Sequence, residues 1–146
     1  MKFSRILVAY DGGGQAKKAL EAAIAIAKNG EGEIILLSAS GVYKGDPAVD
    51  FQMQPSESLR RAAQDYMQKL LDEAADLVKA QNIPVVTEIR DGMPGPIIVE
   101  IAESKGCDLI AIGSHNHGTL YRAFLGSVSN YVLQNSPGLL LIAKDE

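Results

Sequence analysis

The chain contains no tryptophan and only one cysteine, Cys107. A single thiol closes no intramolecular disulfide, so the fold must rest on its apolar core, and a reducing compartment suits it. Cys107 opens an apolar stretch, where a thiol packs as a small hydrophobe rather than acting as a nucleophile. Histidine is nearly as scarce, with only His115 and His117. A zinc site needs three or four ligands, and neither cysteines nor an acidic cluster supply the rest nearby. Ser114 is next to His115, and adjacent side chains do not align as nucleophile and base. Positive charge is also short. Lys and Arg number 14 against 18 Asp and Glu, a net charge of −4, and the basic residues are scattered, so no nucleic-acid partner is expected. Long hydrophobic runs are missing at the amino terminus, where Ile6 to Tyr10 is stopped by Asp11. That is too short for a signal peptide or a membrane span, so a cytoplasmic protein without membrane attachment is expected. Two phosphate-binding signatures are absent as well. G-x-x-x-x-G-K-[ST] occurs nowhere, and G-x-G-x-x-G fails after Gly12 and Gly14 because Lys17 takes the third glycine's place.

What is present is the material of one α/β domain covering residues 1–146. With 47% hydrophobic residues, a chain of this length buries enough surface to fold without staples. Ile6 to Tyr10, Glu33 to Ala39, Pro84 to Glu88, Cys107 to Ile112 and Leu139 to Ala143 read as short apolar strands. Helical spacing separates them. Gln15 to Lys28 carries Leu20, Ala23, Ile24 and Ala27 on one face, with Asn29-Gly30 as a C-terminal stop. Ser56 reads as the N-cap of a long helix whose stripe runs through Leu59, Ala62, Ala63, Tyr66, Met67, Leu70, Leu71, Ala74 and Leu77, expected to face the core. Pro94 to Ser104 is a shorter helix. Gly41 to Pro55 shows no periodicity and reads as a long loop, a length that is uncommon unless mobile or functional. Apolar strands alternating with helices predict one open parallel sheet covered on both faces. In such sheets ligands bind beyond the carboxyl ends of the strands, where the winding reverses. If the first and fourth strands adjoin there, Asp11 and Gly113 come together.

The stretch from Ile112 to Leu133, IGSHNHGTLYRAFLGSVSNYVL, organises the rest. A glycine lies at the mouth of a strand, and Gly126-Ser127 opens a helix through Val128, Tyr131 and Val132. The first amides of a helix lack internal partners and carry the positive end of its dipole. A glycine ahead of them admits a bulky anion, which makes this a candidate phosphate-binding loop. The alternative is that Ser127 is an N-cap and Gly126 a turn residue.

Over nearly its whole length the chain resembles the universal stress protein family. The likeness rests on ILVAYDG, KKALEAAIAIA, EIILLSA, CDLIAIGSHNHG and FLGSVSNYVLQNSPGLLLI. Nucleotide-binding relatives carry glycine, two residues, a second glycine, nine residues, then glycine with serine or threonine. Gly113, Gly126 and Ser127 stand in that register, and Asn116 replaces the second glycine. Asparagine is the next residue after glycine to accept left-handed backbone. The resemblance implies a Rossmann-like five-stranded sheet in the order 3-2-1-4-5, with helices on both faces. It implies ATP as ligand, with Mg2+ left open as its companion ion. The implied nucleotide-binding set is Ala9, Tyr10, Asp11, Ala39, Ile112, Gly113, Asn116, Gly126, Ser127, Val128 and Ser129. In it Asp11 lies by the ribose and phosphates, Ala39 and Ile112 border the adenine, and backbone at Gly113 and from Gly126 to Ser129 holds sugar and phosphates. Gly12-Gly13-Gly14 departs from relatives that place serine near this turn. A more distant resemblance to the ATP pyrophosphatases lacks both serines of their first loop. The expected function is an adenine-nucleotide-binding regulatory protein of the stress response, without catalytic residues. It is expected to be a homodimer through Leu139 to Ala143, a strand left as an exposed edge if it is last in the sheet. The alternatives are a nucleotide-free dimeric interaction protein on the same scaffold and a slow ATPase.

Overall fold

A computed structural model of the chain describes residues 2–40, 56–114 and 126–144. Five strands and four helices alternate: β1 (Arg5–Ala9), α1 (Gly14–Gly30), β2 (Glu33–Ser40), α2 (Glu57–Lys79), β3 (Val85–Asp91), α3 (Pro94–Ser104), β4 (Leu109–Gly113), α4 (Ser127–Asn135) and β5 (Leu139–Ala143). The strands form one parallel sheet in the order β3-β2-β1-β4-β5, as expected. The expected loop at 41–55 lies outside the described residues.

The strand residues are apolar at consecutive positions because both sheet faces are covered. Ile6, Val8, Ile34 and Leu36 pack under α1 and α2, against Leu20, Ala23, Leu71 and Val78. Their neighbours Leu7, Ile35, Leu37, Ile110 and Ile112 point the other way, against Ile98, Ile101 and Val132 of α3 and α4. Alanine fills the face of α1 at Ala16, Ala19, Ala23 and Ala27, which brings that helix close to the sheet.

Three local expectations are corrected. The left-handed residue that ends α1 is Glu31, at φ 58°, and not Gly30. At Gly32 a Cβ would run into the Phe3 carbonyl oxygen. Gly32 therefore serves a close approach, and Glu31 accepts the left-handed conformation at about 1 kcal/mol. Ser56 does cap α2, accepting the Leu59 N–H at 3.1 Å. The stripe on α2, however, is a core face only in part. Leu71, Ala74, Ala75 and Val78 are buried, whereas Leu59, Tyr66 and Leu77 are more than half exposed. Finally, β4 begins at Leu109, two residues after Cys107. The Cys107 thiol is half-buried, and burial, then Asp108, raise its pKa, so it stays protonated.

The glycines give a paired test. Gly32→Ala should lower stability by about 1–3 kcal/mol, because backbone must shift to admit the methyl group. Gly14→Ala meets nothing within 4 Å at the first position of α1, and should raise stability by roughly 0.4–1 kcal/mol. Urea midpoints of the two variants, moving in opposite directions, check both.

Candidate functional site

The sheet opens where its winding reverses. β1 and β4 are paired from Ile6–Leu109 to Val8–Ala111, and no further. Beyond that point each strand follows its outer neighbour. The Tyr10 N–H donates to the Leu37 carbonyl of β2 at 2.8 Å, and the Ser114 N–H donates to the Ala143 carbonyl of β5 at 2.8 Å. The ends of β1 and β4 therefore diverge, and a cavity of about 210 Å³ lies over the gap.

Its walls come from five elements. The turn from β1 into α1 supplies Ala9, Tyr10, Asp11, Gly13, Gln15 and Ala16. Leu37, Ser38 and Ala39 come from the end of β2, and Ile112 and Gly113 from the end of β4. Pro94 and Ile98 of α3 and Val128 of α4 complete them. The result is a mostly apolar slot with a few polar groups, the composition of a small-molecule site.

Two glycines shape it. Gly12 sits at φ +83°, a backbone that side chains rarely adopt, and turns the chain sharply out of β1. The Asp11 carboxylate stabilises that turn by accepting the Gly13 N–H at 2.8 Å. Gly113 is needed for packing. A Cβ there would lie 2.7 Å from the Gln15 Cβ and 3.3 Å from the Ala16 nitrogen, so only glycine lets the first turn of α1 rest on the end of β4.

α4 begins beside the slot. Gly126 is its N-cap, in extended conformation and with no side-chain cap, and Ser127 is the first helical residue. The reading of Ser127 as N-cap is thus corrected. No acidic residue occupies the first turn, and the amides there carry the positive end of the helix dipole.

Of the expected nucleotide-binding residues, Ala9, Tyr10, Asp11, Ala39, Ile112, Gly113 and Val128 line one cavity. Gly126, Ser127 and Ser129 flank Val128 on the first turn of α4 without lining it. Asn116, with His115 and His117, lies outside the described residues. Gln15, Ser38, Pro94 and Ile98 were not anticipated. Pro94 carried a signal, since a proline at the first turn marks the start of a helix that follows a strand, at the same sheet edge. Among the described residues no group of three His, Cys, Asp or Glu could hold a metal ion, and no helix is long and apolar enough to cross a membrane.

The sequence pattern of the universal stress protein family matches residues 2–144. The chain belongs to the universal stress protein family. Universal stress protein MJ0531 of Methanocaldococcus jannaschii is 31% identical over 144 residues, covering 97% of this chain and 82% of the relative. Among solved structures, MJ0577, a universal stress protein of the same organism, superposes with a TM-score of 0.84 at 25% identity, covering 100% and 99% of the two chains. A universal stress protein in complex with cAMP superposes at 0.71 with 24% identity, covering 98% of each chain. One from Archaeoglobus fulgidus in complex with dAMP superposes at 0.73 with 16% identity, covering 99% and 100%.

Tyr10 adds a measurable property to this universal stress protein's slot. Burial, then the Asp11 and Glu73 carboxylates, push its phenol above the ordinary value of 10.0. As pH rises past about 10 the unfolded chain loses this proton while the folded chain keeps it, so stability falls in that window. Below it the contribution is fully present. Denaturation of the parent and Tyr10→Phe between about pH 8 and 11 should show the shallower decline in the variant.

Proposed function

We propose that this chain is a single-domain nucleotide-binding stress protein whose slot takes an adenine nucleotide, ATP being the ligand to test first. The observation that carries the reading is the divergence of β1 and β4 beside the start of α4. An apolar slot suited to a base there meets helix amides suited to an anion. The fold supports it, since solved members hold cAMP and dAMP.

The fit can be stated group by group. A cavity of about 210 Å³ is smaller than the roughly 300–1,000 Å³ typical of sites that enclose a drug-sized ligand. The slot therefore holds the base and part of the sugar, and the phosphates extend towards the first turn of α4. Ala39 and Ile112 form small apolar walls, so backbone groups would read the adenine edge. Asp11 stands where a ribose hydroxyl would donate to its carboxylate. Mg2+ enters as the nucleotide's counter-ion. Hydrolysis is not part of this reading.

Protein denatured directly after purification should release adenine nucleotide on a chromatogram, and calorimetry should show ATP binding that GTP displaces only weakly. Gly126→Val, which places a branched side chain over the helix amides, should weaken ATP binding about tenfold or more, the worth of a hydrogen bond to a charged group. Binding unchanged by Gly126→Val would put the phosphates elsewhere. Absence of binding in the parent would favour the interaction-protein reading.

We also propose a homodimer through β5. This strand is the last of the sheet, and Leu139 at its start is 46% exposed. An apolar edge of this kind pairs readily with a second copy. Leu141 is partly buried against the core, so its replacement would confuse folding with assembly. Leu139→Asp is the cleaner variant. Sedimentation at micromolar concentration should show a dimer for the parent and a shift to monomer for the variant, whereas a monomeric parent removes the proposal.

A further inference from the structure

Ser114 joins four elements at the pocket edge. Its N–H donates to Ala143 of β5, and its hydroxyl contacts Gln15 Oε1 of α1 at 3.2 Å. Its carbonyl oxygen accepts the Gly126 N–H at 2.8 Å and lies 3.0 Å from Ser129 Oγ. Ser114 and Ser129 are 7% and 2% exposed, and the bond between them is buried, whereas the Ser114–Gln15 contact is only partly so. The Ser129 hydroxyl is also 3.0 Å from the Gly126 carbonyl, which shares its single proton. The contact with Gly126 is within one helical turn. The contact with Ser114 spans 15 positions and joins the helix to the sheet.

We propose that the Ser129 hydroxyl is a clasp that fixes the first turn of α4 at the end of β4, making the Ser129 side chain a positioning group while its backbone N–H stays among the first-turn amides. Two features lead there. The hydroxyl is committed to backbone carbonyls in a buried site, so its side chain does not face a ligand. The Gly126 N–H and the Ser129 hydroxyl also meet on one carbonyl, so the N-cap and the third helical residue are both tied to Ser114. With attachments at Gly126 and Ser129 on the Ser114 carbonyl, α4 resists pivoting about Gly126 more than the Gly126 N–H would achieve alone. The direction of its first amides is thereby set by β4. The consequence for affinity rests on the nucleotide-binding reading above. The clasp itself does not.

The test compares the parent with Ser129→Ala, Ser129→Thr and Ser56→Ala. Ser56→Ala is the control, since it removes a serine-to-backbone bond of similar kind at the start of α2, away from the pocket. Ser129→Ala should speed hydrogen exchange at the Gly126 amide about fivefold and weaken ATP binding by a similar factor, the effect of losing one hydrogen bond. Ser129→Thr, which keeps the hydroxyl, should restore both. Ser56→Ala should lose comparable thermal stability yet bind ATP as the parent does and leave Gly126 exchange unchanged. Unaltered Gly126 exchange in Ser129→Ala would overturn the clasp, as would parental ATP affinity in that variant when the parent binds. If the parent binds no ATP, the nucleotide reading fails, while Gly126 exchange still decides the clasp.

Discussion

The pocket depends on one constraint: β1 and β4 are held together at their starts and separate at their ends. At the amino-terminal side the Asp108 carboxylate accepts the Ser4 and Arg5 N–H groups, at 2.8 and 3.2 Å, and the Asp108 N–H returns a bond to the Arg5 carbonyl at 3.0 Å. The Arg5 guanidinium adds a bond to the Lys105 carbonyl at 2.7 Å. Three residue pairs later the ladder ends, and each strand leaves with its outer partner. A parallel sheet that winds outward from β1 in one direction and from β4 in the other has this freedom only at the reversal. Elsewhere, as between β2 and β3, the ladder runs unbroken from Ile34–Val85 to Ser40–Asp91.

A gap between strand ends would collapse if the helices above it could slide together. Two close contacts oppose this. α1 is seated on Gly113, where its first turn has no side chain beneath it. α3 and α4 meet where the Tyr131 ring lies over Gly95, close enough that a Cβ there would be 2.9 Å from the ring. Glycine thus brings helices into firm contact at two points on the rim, while the space between them stays open. Both glycines act through the side chain they lack, not through unusual backbone angles. A small-for-large exchange at either point would therefore move a whole helix and not a local turn.

Much of the fold was legible because parallel strands covered on both faces leave an unmistakable mark. ILVA, EIILLSA and LLLIA are short, continuous and apolar, and alternation with helices allows few arrangements. The α2 stripe misled for a physical reason. Periodicity shows that one side of a helix is apolar, but not how far the sheet extends beneath it. With β3 as the edge strand, Leu71, Ala74, Ala75 and Val78 of α2 reach the core, while Leu59, Tyr66 and Leu77 are left exposed. The end of α1 misled differently, since Gly30 suits a left-handed stop yet stays helical, and Glu31 takes the left-handed position instead.

The candidate site was legible where it follows chain order and obscure where it depends on packing. Ala9, Asp11, Ile112 and Gly113 stand at strand ends, so their meeting follows once β1 and β4 are neighbours. Gln15 and Ile98 reach the slot through the rotation of helices about their own axes, which their sequence neighbours do not reveal. Gly113 shows the difference most sharply. Its place after an apolar strand suggests a residue that lets phosphate approach, yet the group pressed against it is Gln15. In the proposed nucleotide-binding reading the anion's room is instead at the first turn of α4, which has no side-chain cap and no acidic residue. On the proposed clasp, the Gly126 N–H and the Ser129 hydroxyl hold that turn from behind on the Ser114 carbonyl. An anion arriving at the proposed site would then pay little for ordering the turn, and affinity would depend on the rigidity beneath the site as well as on the groups at its surface.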